Sequence, residues 1–156
     1  MNPSDNNEPK GEQTSPTNGW FNLYVDGSAW GNPGDAGVGA VLYGPDGEVE
    51  ARGSRYIGIA TNNEAEYEAF TFGLWLAKKY FVSNLKVHTD SEVVLRQLTG
   101  EYQVKADNLR PLWRKAIKQL KGFDHHKLGH IQREENREAD RMANLAIIRA
   151  RKKGQA

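Results

Sequence analysis

The sequence predicts an α/β domain with a mixed sheet, and three observations carry that reading. Three β-prone runs follow one another with no helix between them, Phe21 to Ala29, Ala36 to Tyr43 and Val49 to Ile57. A fourth run, Asn84 to Asp90, comes only after a long helical stretch, and two amphipathic helices then flank a fifth run near Phe123 to Leu128. Strands joined by tight turns pair antiparallel, whereas a strand, a crossover helix and a strand pair in parallel.

In the first run Phe21, Leu23 and Val25 share one parity and Asn22, Tyr24 and Asp26 the other, so the strand buries one side and delivers Asp26 on the opposite one. The residues that follow, Gly27-Ser28-Ala29-Trp30-Gly31-Asn32-Pro33-Gly34, are too rich in turn formers to continue a plain ladder. A lone acid at a strand end most often caps a turn, and Asp26 gains another meaning only if further acids point to the same place. Gly44-Pro45-Asp46-Gly47 marks the turn between the second and third strands. Gly37, Gly39 and Gly53 lie within or beside strands, where a missing side chain marks a bulge or the close approach of another backbone.

Thr61-Asn62-Asn63 can cap a helix running to about Phe81. At about 100° per residue its polar arc holds Glu64, Glu68, Thr71, Lys78 and Lys79, and its apolar arc Ala65, Ala69, Phe70, Phe72, Leu74, Leu76 and Ala77. Glu66 falls in the middle of the apolar arc. A core-facing carboxylate is costly to desolvate and requires either an arginine at the core edge or a site. Trp75 lies on the polar arc, as an exposed contact residue or under a neighbouring loop.

The strand Asn84 to Asp90 also ends in an acid, with Leu85, Val87 and Thr89 pointing one way and Lys86, His88 and Asp90 the other. Ser91 to Thr99 reads as a short helix. Parallel pairing with the first strand puts Asp26 and Asp90 at one carboxyl edge, where open α/β sheets bind ligands. After a connection from Gly100 to Ala106, a helix starts at Asp107 or Asn108 with Pro111 in its first turn and an apolar stripe of Leu112, Trp113, Ala116, Ile117 and Leu120. Its other side carries Arg110, Arg114, Lys115, Lys118 and Lys121, a face that either tracks phosphates or is simply solvated. The last helix, from near Asn136 to Ala150, buries Ala139, Met142, Ala143, Ala146 and Ile147 and holds Asp140 at the margin of that stripe.

Residues 1–19 are polar and expected as a disordered tail, residues 20–150 as the folded domain and residues 151–156 as a basic tail. The chain has no cysteine, which excludes disulfides and thiolate metal sites. No apolar run approaches the roughly 20 residues that span a bilayer, and no apolar leader is present, so a cytoplasmic location without membrane attachment is expected. With 21 Lys plus Arg against 20 Asp plus Glu, net charge favours no class of partner.

Asp26, Glu66, Asp90 and Asp140 therefore converge from two strand ends and two helix faces. Four carboxylates in one pocket repel one another, and with no matching set of buried bases they imply divalent cations. Oxygen ligands without Cys or a His pair point to Mg²⁺ or Mn²⁺. A metal pair held by carboxylates is the apparatus for in-line displacement at phosphorus.

The segments Val25-Asp26-Gly27-Ser28 with Gly31-Asn32-Pro33-Gly34, Thr61-Asn62-Asn63-Glu64-Ala65-Glu66-Tyr67, Thr89-Asp90-Ser91, and Gly129-His130 with Asn136-Arg137-Glu138-Ala139-Asp140 resemble those of the type 1 ribonucleases H, from about Phe21 to Ala150. The resemblance implies a five-stranded mixed sheet in order 3-2-1-4-5 flanked by helices. It also implies hydrolysis of the RNA strand of RNA/DNA hybrids, leaving 3′-hydroxyl and 5′-phosphate ends. By the same resemblance Asp26, Glu66, Asp90 and Asp140 hold two Mg²⁺ ions when substrate is bound, with Mn²⁺ as a substitute. His130 takes the place of a mobile histidine that serves proton transfer or product departure; otherwise it is a loop histidine beside His125 and His126. Asn32, Asn62 and Asn63 match readers of the minor groove that sense 2′-hydroxyls, with turn and cap roles as the plainer reading. Thr61 matches a holder of a DNA-strand phosphate, and Gly27, Ser28 and Ser91 are assigned to substrate binding within the matched segments.

The chain departs from several relatives in one respect. Where they carry an extended basic protrusion, Thr99-Gly100-Glu101-Tyr102-Gln103-Val104-Lys105 is short and carries one acid and one base, so weaker and more salt-sensitive binding is expected, compensated by the basic helix or the C-terminal tail. Double-stranded RNA is a second candidate substrate, and a monomer is expected. The rival readings are a hybrid- or duplex-RNA-binding module without turnover and another nuclease of the same fold.

Overall fold

The computed structural model describes residues 19–156, so the expected N-terminal tail lies, apart from Gly19, outside the described residues. The elements are β1 (Trp20–Gly31), β2 (Gly34–Tyr43), β3 (Val49–Ala60), α1 (Asn62–Lys78), β4 (Asn84–Thr89), α2 (Glu92–Leu98), α3 (Arg110–Leu120), β5 (His125–His130) and α4 (Arg137–Lys152), with one 3₁₀ turn at Arg133–Glu135. They form one five-stranded sheet in the order β3-β2-β1-β4-β5. β2 is antiparallel to β1 and to β3, while β4 is parallel to β1 and to β5. This is the mixed sheet expected.

Helices cover both faces. Leu23 and Val25 are fully buried under α1, where a Cβ on Gly73 would stand 2.5 Å from Val25 Cγ1. Burying each such aliphatic side chain stabilises the fold by about 1.5–3 kcal/mol. The opposite face is bare at Gly37 and Gly39, and α4 lies directly on that backbone; a Cβ on Gly39 would stand 2.3 Å from Ala139 O. The close approach expected of these glycines is thus made by α4, and it brings Asp140 to the sheet.

Several boundaries differ from expectation for physical reasons. The β1–β2 ladder continues through Gly31↔Gly34, because the glycines there serve close contacts and do not break the pairing. α1 ends at Lys78, and the chain reverses through Phe81 at φ 56°. Thr71, expected on the polar arc, is buried, since α3 lies alongside and Gln119 Nε2 donates to Thr71 O at 3.2 Å. α3 starts at Arg110, and Asp107 instead accepts from Arg110 Nη1 at 2.6 Å. The last strand is displaced because Phe123 is used as a core residue; pairing begins at Asn84↔His125 and ends at Thr89↔His130, so His130 is a strand residue. Among the described residues no helix is long and apolar enough to cross a membrane.

Candidate active site

The parallel β1–β4 pairing stops at Tyr24↔His88, and two residues later Asp26 and Asp90 stand level; Asp90 follows the end of β4, whereas Asp26, expected at a strand end, lies inside β1, which continues in its ladder with β2. α1 enters beside them through a capping box: Glu64 N donates to Thr61 Oγ1 at 3.1 Å and Thr61 N to Glu64 Oε1 at 2.8 Å. Its early turns can touch β1 because residue 27 has no side chain; a Cβ there would stand 2.1 Å from Ala65 O. Gly27 N–H then donates to Glu66 Oε1 at 2.9 Å and fixes that carboxylate. As a result, one oxygen each from Asp26, Glu66 and Asp90 lie within 4.8 Å of one another. Asp140, from α4, lies beside Asp26 and, after burial, Glu66 and Asp90, contributes to holding the Asp26 carboxyl above its ordinary range. The four predicted carboxylates meet at one edge, three as a tight group and the fourth beside it.

Among the described residues none of the four forms an ion pair with Lys or Arg. The arginine alternative for Glu66 is therefore not realised; Arg133 acts on it only from a distance. Asp26 is 5% exposed, and burial, followed by the charges of Glu66 and Asp90, pushes its carboxyl up to about 10. Burial likewise drives Glu66 up to about 8, against the Gly27 hydrogen bond, which favours the ionised form. Protons stabilise this cluster when nothing else neutralises it. A hard divalent cation fits the same place, since every donor is a carboxylate oxygen and a dication satisfies several at once.

The roles of two asparagines, Asn136 within the matched motif and Asn144 beyond it, escaped the sequence reading. Asn136 is 1% exposed, and its Nδ2 donates to Val25 O at 2.9 Å and to Asp90 Oδ2 at 3.2 Å, so α4 begins by tying Asp90 to β1. Asn144 touches Asp140 from one turn further along α4. The available signal was their spacing, four residues before and after Asp140, which places all three on one helical face.

The remaining predicted residues make local contacts of their own. Asn32 Oδ1 accepts from Asn62 N at 3.0 Å, joining the β1–β2 turn to the start of α1, while Asn62 and Asn63 are exposed. Ser91 Oγ accepts from Val94 N at 3.3 Å and caps α2. Ser28 Oγ donates to Asn144 Oδ1 at 3.0 Å. His130 is exposed beside Thr89 and lines a groove of about 220 Å³ with Glu92, Arg96 and Leu128, outside the carboxylate group.

A family model described as reverse transcriptase-like matches residues 24–146. The crystal structure of RNase H1 from the halophilic archaeon Halobacterium salinarum superposes with a TM-score of 0.83 at 39% identity, covering 85% of this chain and 100% of that one. The chain belongs to the ribonuclease H family. Ribonuclease HI of Halobacterium salinarum is 40% identical over 129 residues, 83% of this chain. The Mycobacterium tuberculosis bifunctional protein Rv2228c is 37% identical over 126 residues, 80% of this chain. The chain spans 65% of the archaeal ribonuclease H protein and 35% of the mycobacterial one. LC11-RNase H1, solved in complex with an RNA/DNA hybrid, superposes with a TM-score of 0.79 at 36% identity, covering 83% of this chain and 98% of that one.

Proposed function

We propose that this chain is an endoribonuclease that hydrolyses the RNA strand of RNA/DNA hybrids, leaving 3′-hydroxyl and 5′-phosphate ends. The observation that carries the reading is the grouping of Asp26, Glu66 and Asp90 within 4.8 Å, with Asp140 alongside and, among the described residues, no ion-paired base. These four side chains would hold two divalent cations, Mg²⁺ with Mn²⁺ as a substitute. Bound there, the cations supply the positive charge that activates water and stabilises the leaving oxygen of an in-line displacement.

The protein's own groups prepare the rest. Gly27 N–H and Asn136 Nδ2 hold Glu66 and Asp90 in place before substrate arrives, so little reorganisation is left to the reaction. Asn62 and Asn63, exposed at the start of α1, are presented to a minor groove, where side-chain amides distinguish an RNA strand by its 2′-hydroxyls. Asn32 fixes this ridge through Asn62 N, Thr61 sits beside it for a phosphate of the DNA strand, and Gly27, Ser28 and Ser91 border the path of the RNA strand. His130, exposed at the end of β5, would carry a proton away from the departing product.

Affinity rests on a modest basic surface. α3 presents exposed Arg114, Lys115 and Lys118 and contains no acid, and Arg55 and Lys115 line a groove of about 230 Å³ between β3, α1 and α3. Without a long basic segment between α2 and α3, hybrid binding is weak and salt-sensitive. The working form is a monomer in the cytoplasm, and double-stranded RNA is the second candidate substrate to be compared with the hybrid.

Cleavage of end-labelled RNA/DNA hybrid, RNA duplex, DNA duplex and single strands, with Mg²⁺, Mn²⁺ or EDTA, tests the assignment. Metal-dependent cutting of the RNA strand of the hybrid supports it. Tight hybrid binding without cutting in either metal would make the chain a binding module, and preferential cutting of another substrate would make it a different nuclease.

A further inference from the structure

Asp140 differs from the other three carboxylates. It stands outside their tight group, and it comes from α4, which reaches the site only by lying on the bare backbone of β2. Its position is set by Asn144. Asn144 Nδ2 donates to Asp140 Oδ1 at 3.2 Å and to Asp140 O at 2.9 Å, while Asn144 Oδ1 accepts from Ser28 Oγ at 3.0 Å and from Trp30 Nε1 at 2.7 Å. Two acceptors face the nitrogen and an indole N–H, which can only donate, faces the oxygen, so the amide has one satisfactory orientation. A β1 anchor and an α4 carboxylate are thereby joined through a single side chain.

The anchor is itself held. The Arg151 guanidinium lies 4.7 Å from the centre of the Trp30 ring, and Arg151 Nη2 pairs with Asp35 Oδ2 at 2.9 Å. Asp35 Oδ1 also accepts from Tyr56 Oη at 3.1 Å. Stacking fixes the plane of the indole, and the indole N–H in turn fixes the amide.

We infer that Asn144 is a positioning residue that holds Asp140 at the carboxylate site, with Trp30 as its fixed point on β1. The inference rests on the reading of the four carboxylates as a cation site. Loss of Asn144 leaves the Asp140 carboxylate in the chain but free to rotate away from Asp26, which weakens cation binding without removing a ligand. Loss of the Trp30 N–H leaves Ser28 as the sole donor to the amide oxygen and produces a smaller change of the same kind.

The test compares the parent with Asn144→Ala, Trp30→Phe and Asp140→Asn. Mn²⁺ binding is followed by electron paramagnetic resonance without substrate, and kcat and KM are measured on an RNA/DNA hybrid across a Mn²⁺ titration. Asn144→Ala is expected to weaken Mn²⁺ binding and lower kcat by about 10-fold, the scale seen when a group orienting a metal ligand is removed. KM for hybrid stays near the parent value, and excess Mn²⁺ restores most of kcat in Asn144→Ala but not in Asp140→Asn. Trp30→Phe shows the same pattern at smaller amplitude, and it carries the test if Asn144→Ala does not fold. Unchanged Mn²⁺ affinity in the folded variants, or a loss of kcat that excess Mn²⁺ leaves in place, overturns the inference. If the parent binds Mn²⁺ but cuts no hybrid, the proposed activity fails, while the Mn²⁺ titration of the variants still decides the role of Asn144.

Discussion

Acidic side chains occupy two kinds of place in this molecule, and α4 contains both within three residues. Glu138 faces outward and pairs with Arg141 at 2.9 Å and Arg52 at 3.3 Å. Asp140 faces inward and meets other carboxylates. The outward pattern recurs at Glu92 and Glu101, which share Arg96, and at Asp35 with Arg151. Pairs so open to solvent are screened and contribute little to the stability of the fold. Among the described residues the inward acids have no such partners, and their mutual repulsion opposes folding. An arrangement that destabilises the empty protein is explained by what it binds.

The contrast can be broken most directly at the cluster. Asp90→Asn should lower the rate of hybrid cleavage by at least about 1,000-fold, a barrier change of roughly 4 kcal/mol, while the far-ultraviolet circular dichroism stays that of the parent. Residual cleavage within tenfold of the parent would place the chemistry elsewhere. Gly27→Ala should abolish activity and also cost about 3 kcal/mol of stability by urea denaturation, because the new methyl group meets the α1 backbone. Parental stability in that variant would mean that α1 stands further from β1 than 2.1 Å between the added carbon and Ala65 O allows.

The two environments also differ in their response to pH. Asp26 and Glu66 hold protons up to about 10 and about 8 in the folded chain, against ordinary carboxyl values near ~4 once unfolded. The folded state therefore binds more protons between those limits, and in EDTA the unfolding free energy should fall as pH rises through them. Asp26→Asn should flatten the slope, and Mg²⁺ should raise the melting temperature more at pH 8 than at pH 5, since it replaces protons that are leaving. A parent protein in EDTA that gains stability from pH 5 to 9 would contradict the picture of an unpaired cluster. At the lower end of the scale, Thr61→Ala removes the cap of α1 and should cost about 1 kcal/mol. Glu138→Gln, on the outward face, should change stability by no more than about 0.5 kcal/mol in the same titration.

The cluster was legible in the sequence because each carboxylate broke a local pattern. Asp26 and Asp90 close the alternating runs of two strands that must run parallel, although β1 itself continues past Asp26 to Gly31, and Glu66 interrupts an otherwise apolar helical arc. The arginine alternative could be discarded only when the surroundings of Glu66 were seen. Gly27 was read as a turn residue and substrate contact, because sequence does not tell a glycine that bends a chain from one that lets a helix touch a strand. Asn136 and Asn144 were missed because their meaning lies in hydrogen bonds across more than 100 residues, to Val25 and to Ser28 and Trp30. The side-chain oxygens of Asn32, Thr61 and Ser91 are engaged in a turn contact and two helix caps, the plainer kind of role that the sequence already offered for Asn32.

The most direct measurement takes one preparation each of the parent and Asp26→Asn through urea unfolding in EDTA at pH 8 and through hybrid cleavage in Mg²⁺. A carboxylate cluster built for cations predicts a variant at least as stable as the parent and without RNA-strand cleavage. A variant that is clearly less stable and still cuts the hybrid would show Asp26 to be a structural residue and would contradict the assignment of this edge as the catalytic site.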